Sequence, residues 1–118
     1  MISVPLAVGD ILDKITILHI RNTRKGLSLD QKEYLQTLRS AISHLQGWEE
    51  LNLLVAELSK YNDVIWELND TLRSSISAES ISAVSLDIIK FSDLRGNVKH
   101  LINAKTGSIP EQKVYTRG

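Results

Sequence analysis

The chain contains no cysteine. That excludes disulfides and thiolate chemistry, and leaves any metal site to histidines and carboxylates. The three histidines, His19, His44 and His100, show no pairing at a helical ligand spacing. An excess of charge is also missing. Fourteen basic and fourteen acidic residues give a formal net charge of +0. A balanced chain has no general attraction for nucleic acid or anionic lipid, so neither is expected as a partner and an anion site must be local. A long apolar run is missing too. Residues 1–8 are apolar but short, follow no basic segment and soon meet Asp10. They fit neither a signal peptide nor a membrane span, and the expected location is the cytoplasm. There is no Gly-rich phosphate loop, nucleophile elbow or HExxH helix. Basic and aromatic residues are not interleaved as in nucleic-acid binders.

What is present is helical periodicity. At 118 residues the length suits one domain with one core, spanning 1–118. Residues 1–7 are an extended lead-in, because Pro5 disfavours helix at Val4. Helix one is expected over about 8–23, with Ile11, Leu12, Ile15, Leu18 and Ile20 on a broad apolar face. Gly26 stops it. Ser28 and Gln31 form a capping box for helix two. There Leu35, Leu38, Ile42 and Leu45 repeat, and Gly47 ends the helix. Helix three runs from about 48 to 74, with Leu51, Leu54, Leu58, Tyr61, Ile65, Leu68 and Leu72 in a heptad-like seam. Helix four runs from about 78 to 105, with Ile81, Val84, Ile88, Phe91, Val98 and Leu101 facing inward. Gly96 within it costs about 1 kcal/mol relative to Ala, which suggests close packing there. Gly107 and Pro110 end the helix, and 106–118 is a polar tail. No segment alternates with period two. The expected fold is all-α, an antiparallel four-helix bundle with long third and fourth helices.

Polar rows cross this pattern. Asn62, Trp66, Asn69 and Arg73 fall at i, i+4, i+7, i+11 and form one stripe of helix three. An indole, two amides and a guanidinium suit a flat or anionic ligand. Asp63, Glu67 and Asp70 form the adjacent row. Helix one carries Asp10, Asp13 and Lys14, with Asp10 and Lys14 spaced for an i, i+4 pair. Two carboxylates there could also hold a divalent cation. On helix four, Arg95, Lys99 and Asn103 share one face, next to the inward residues Val98 and Ile102, and could line an anion pocket. Each row alone also reads as a solvated helix face. Tyr115 is the one hint that the tail docks.

The string Gly9-Asp10-Ile11-Leu12-Asp13-Lys14-Ile15-Thr16-Ile17-Leu18 resembles the start of a family of small uncharacterised bacterial and phage proteins, which open with G-[DE]-x-x-D-K-I-T-I-L. The resemblance continues through residues 62–73, at Asp93-Leu94-Arg95 with Lys99 and Ile102-Asn103, and at Gly107-Ser108 and 111–115. Ala7, Ser92 and His100 depart from the usual residues, Ala7 standing where relatives often carry Ser. The resemblance implies an all-α fold and marks positions, but it supplies no activity. Its motif blocks coincide with the polar rows. A wet helix face gives no reason for Asn, Trp, Asp, Arg, Lys and Tyr at fixed spacings, whereas a shared site or a buried polar network does.

Three functions follow as expectations. The first is binding of a small anionic ligand (nucleotide, sugar nucleotide or sugar phosphate) by Lys14, Asn62, Trp66, Asn69, Arg73, Arg95, Lys99, Asn103 and Tyr115. The second is a magnesium-dependent nucleotide pyrophosphohydrolase resembling MazG, with Asp10, Asp13, Glu67 and Asp70 as metal ligands. Here Glu67-Leu68-Asn69-Asp70 fits ExxD, and Asp10-Ile11-Leu12-Asp13 is a shortened analogue of ExxE. The third is a structural or adaptor bundle whose helix-three seam extends into a homodimer.

Overall fold

The protein is described from a computed structural model covering residues 6–108. Tyr115 and most of the polar tail lie outside these residues. Four α-helices follow in order, and no strand occurs among the described residues: α1 (Val8–Arg24), α2 (Leu29–Ala41), α3 (Glu49–Ser74) and α4 (Ala78–Thr106). No helix among the described residues is long and apolar enough to cross a membrane.

The helix starts follow from side chains that accept backbone N–H bonds. The Ser28 hydroxyl accepts from Gln31 N–H, and the Gln31 side chain accepts from Ser28 N–H, completing the capping box. Ser77 caps α4 in the same way through Ser80 N–H. Gly107 closes α4 in the left-handed region, at φ 70°. One end differs from expectation. α2 stops at Ala41, and a short 3-10 turn, Ser43–Leu45, follows instead of helix up to Gly47. The Ser43 hydroxyl donates to the Ser40 carbonyl there, a local bond that competes with helix continuation.

The helices alternate in direction. Lys105 meets Glu50, Arg95 meets Asn62 and Phe91 meets Tyr61, so α3 and α4 are antiparallel. Gly9 meets Asn103 and Asp13 meets Lys99, so α1 and α4 are also antiparallel. α1 is the hub and packs on α2, α3 and α4. Ile11, Leu12 and Ile15 of α1, Leu35 and Leu38 of α2, Leu51 and Leu58 of α3, and Val98 and Ile102 of α4 make one core. The α3 seam is therefore taken up inside the chain, with Leu54 and Tyr61 packed against that core.

α4 is only partly as expected. Val98 is buried, but its neighbour inside is Ile102; Leu101 is 52% and Ile81 42% exposed. The reason is length. α1 has 17 residues and spans about 25 Å, whereas the 29 residues of α4 span about 43 Å. α1 reaches only the C-terminal half of α4, and Ile81 lies beyond it. Leu101 sits one residue round from the row Val98, Ile102 that faces α1.

Gly96 also departs from expectation. A Cβ built there meets nothing within 4 Å. The close helix approach is at Gly9 instead. A Gly96→Ala variant is therefore expected to gain about 1 kcal/mol of stability from helix propensity alone. Urea unfolding checks this, and a loss would show a contact that the structure lacks.

Candidate functional site

The polar rows separate into an internal network and an external groove. The network lies where α1, α3 and α4 meet. Asn62 is 4% and Asp13 7% exposed. Asn62 Nδ2 donates to Asp13 Oδ1 at 2.7 Å and to Thr16 Oγ1 at 2.8 Å. Its Oδ1 accepts from Arg95 Nη1 at 3.2 Å. Thr16 in turn donates to the Asp13 carbonyl at 2.7 Å. Lys99 Nζ lies 2.8 Å from Asp10 Oδ1 and 3.7 Å from Asp13 Oδ2. One amide thus bridges three helices, and each carboxylate of α1 has a cation from α4. A buried polar group needs such partners, because leaving it bare costs several kcal/mol.

The start of α1 completes this corner. Its N-cap, Ala7, has no side chain to offer. The Gly9 N–H instead donates to Asn103 Oδ1 at 2.8 Å, and the Val8 N–H to Ser108 Oγ at 2.9 Å. Two of the unpaired amides that every helix start carries are thus capped, one from α4 and one from Ser108 just beyond it. Asn103, expected in a ligand site, is a buried helix cap. Arg95 and Lys99, expected beside it, bond to Asn62 and to the α1 carboxylates. Lys14 is exposed on α1, and Asp10 pairs with Lys99 rather than with Lys14.

The groove lies at the other end of the stripe. Arg21 of α1, its C-cap Lys25, and Trp66, Asn69 and Arg73 of α3 line an open cavity of about 260 Å³. Arg24 Cζ sits 5.8 Å and Lys25 Nζ 6.0 Å from the Trp66 ring centroid, within cation–π range. Arg24 is also held by Asp63 at 2.8 Å and Glu67 at 2.6 Å. Those hydrogen bonds raise its pKa further. Arg73 is paired with Asp70 on its own helix. Arg21 Nε is buried and has no hydrogen-bond partner among the described residues. Among the described residues no carboxylate lines the groove. Arg21 and Lys25 were not among the residues expected from the sequence. Their i, i+4 spacing was the available signal, but basic residues in the last turns of a helix have a simpler cause in the helix dipole.

The proposed metal ligands are not brought together. Asp10 and Asp13 meet Lys99, Glu67 meets Arg24, and Asp70 meets Arg73. Asn62, the contact of Asp13, is eight residues before Asp70, about 12 Å along α3. Among the described residues no three His, Asp or Glu side chains are grouped to hold a metal ion. The magnesium expectation for Asp10, Asp13, Glu67 and Asp70 therefore lacks a ligand set.

A third polar cluster joins α1 to α2. Arg39 Nη2 lies 2.7 Å from His19 Nε2. Burial, and then the Arg39 charge, hold the His19 pKa below its ordinary value. A lowered pKa means that the unfolded chain binds more protons. The His19 contribution to stability is therefore present above the ordinary histidine range and is lost as pH falls through it. In melting curves between pH 8 and pH 5, a His19→Gln variant should show a shallower acid loss than the parent. An equal loss would place the effect elsewhere. At the surface, the Lys105 hydrogen bond lowers the Glu50 pKa, and the Glu57 hydrogen bond raises that of Tyr61.

Comparison with protein-family models, with curated proteins and with solved structures finds no match. The family resemblance therefore rests on the quoted residues alone.

Proposed function

We propose that the protein binds a small phosphorylated ligand in the groove beside Trp66. One observation carries this reading. Arg21, Lys25 and Arg73 converge on a groove in which, among the described residues, no carboxylate takes part in the lining. Arg73 still has donors to offer, since a guanidinium carries five N–H groups and Asp70 is a single partner. Trp66 holds Lys25 over its face, and Asn69 adds an amide to the lining. The volume favours a compact ligand. At about 260 Å³ the groove falls below the roughly 300–1,000 Å³ of sites that enclose drug-sized molecules. A sugar phosphate fits that size, as does the phosphate end of a nucleotide or sugar nucleotide. The pyrophosphohydrolase reading has no comparable observation behind it.

Calorimetric titration with glucose 6-phosphate tests the proposal. The parent should bind, and Arg21→Ala and Arg73→Ala should each weaken binding at least tenfold. Arg73 is exposed, and substitutions at such positions usually change stability by less than about 0.5 kcal/mol, so the melting of Arg73→Ala should hardly move. Binding that survives both substitutions, or that no phosphorylated compound produces, would sink the idea.

A further inference from the structure

A second cavity lies on the far side of α1, between that helix and α2. Its volume is about 320 Å³. Lys32 and Arg39 of α2 and His19 of α1 supply its polar wall, with the amides of Asn22 and Gln36 beside them. Leu27, from the connection, and the buried Leu35 supply an apolar part. No carboxylate lines this cavity either. Among the described residues neither Lys32 nor Arg39 forms an ion pair. The Arg39 guanidinium instead rests against the ring nitrogen of His19 at 2.7 Å.

Four cations elsewhere in the chain are already neutralised. Arg24, Arg73, Lys99 and Lys105 all have carboxylate partners. Here two permanent cations face one cavity with no internal counter-charge, and a neutral imidazole accepts what one of them donates. The wall can therefore take an anion without first breaking a salt bridge. The planar fork of Arg39 matches a carboxylate in two-point contact, and Lys32 adds a second, compact charge. The leucines distinguish this cavity from the Trp66 groove, whose one apolar surface is the indole. They offer a short hydrocarbon chain a place out of water.

We infer that the cavity between α1 and α2 is a second binding site, for a small organic acid with an apolar tail, its carboxylate on Arg39 and Lys32 and its tail on Leu27 and Leu35. It is independent of the phosphate groove: the two share no lining residue.

The test is an amide NMR titration of the full chain with sodium hexanoate and, separately, sodium acetate, at fixed ionic strength and pH. Hexanoate should give saturable shifts at His19, Asn22, Lys32, Gln36 and Arg39. Burying methylenes strengthens binding by about fourfold each when complete, so hexanoate should bind at least tenfold more tightly than acetate. Arg39→Gln and Lys32→Gln, both at exposed positions, should each weaken hexanoate at least fivefold while the rest of the spectrum keeps its dispersion. Equal affinities for acetate and hexanoate would overturn the site, because the leucines would then contribute nothing. Unchanged binding by both variants, or hexanoate shifts centred on Trp66, would overturn it as well.

Discussion

An Asn62→Ala variant is expected to lose about 3 kcal/mol of unfolding free energy. The side chain donates to the Asp13 carboxylate and to Thr16, and accepts from Arg95. A hydrogen bond to a charged group contributes about 1.5–3 kcal/mol, and a neutral one about 0.5–1.5 kcal/mol. Alanine removes all three and leaves Asp13, 7% exposed, with Lys99 at 3.7 Å as its remaining charged partner. Domains of this size are stable by only about 5–15 kcal/mol, so the loss is a large fraction of the total. Urea unfolding of the parent, Asn62→Ala, Asp13→Ala and the double variant closes a cycle. A coupling of about 1–3 kcal/mol between the two positions is expected. Additive losses would show that the pair does not act as a unit. A loss near zero for Asn62→Ala itself would reopen a ligand role for Asn62, since a residue that matters little for folding is free to serve a site.

Gly9→Ala is the second large effect, and its sign is opposite to that of Gly96→Ala. Alanine should gain about 1 kcal/mol of helix propensity at either position. At Gly9, however, the new methyl would lie 2.7 Å from the Lys99 carbonyl oxygen and 2.9 Å from Asn103 Oδ1. The first of these is backbone and cannot swing away. Overpacking costs typically about 1–3 kcal/mol. Separating α1 from α4 would also stretch the bond from the Gly9 N–H to Asn103, which caps the helix. A net loss of about 2 kcal/mol is expected by urea unfolding. Asn103→Ala would lose the cap without the clash and should cost about 1 kcal/mol. If Gly9→Ala were neutral, the close approach of α1 to α4 would be wrong.

Much of the helix layout was legible in the sequence. The capping box at Ser28 and Gln31, the glycines at 26 and 107, and the apolar spacing of α1 and α3 are local signals, and local signals fix helix ends. The polar rows were legible as rows but not by destination. Asn62 and Trp66 are one turn apart on one stripe, yet the first bridges three helices and the second borders an open groove. Periodicity gives the angle around a helix; it does not say where a crossing helix covers that angle. For the same reason Leu101 and Ile102 both read as inward, and only Ile102 is buried. Arg21 and Lys25 went unnoticed because the helix dipole explains them without a ligand. The cap of Gly9 by Asn103 spans 94 residues and has no local signature.

The division between a buried lock and an open phosphate groove can be read from one spectrum. In an amide NMR titration with glucose 6-phosphate, signals from Arg21, Lys25, Asn69 and Arg73 and the Trp66 indole N–H should shift and saturate together. The Asn62 side-chain amide and the Gly9 N–H should stay in place, because their partners lie inside the protein. Shifts centred on Asn62, Lys99 and Asn103 with a silent Trp66 would contradict that division, and so would a spectrum that does not move at all.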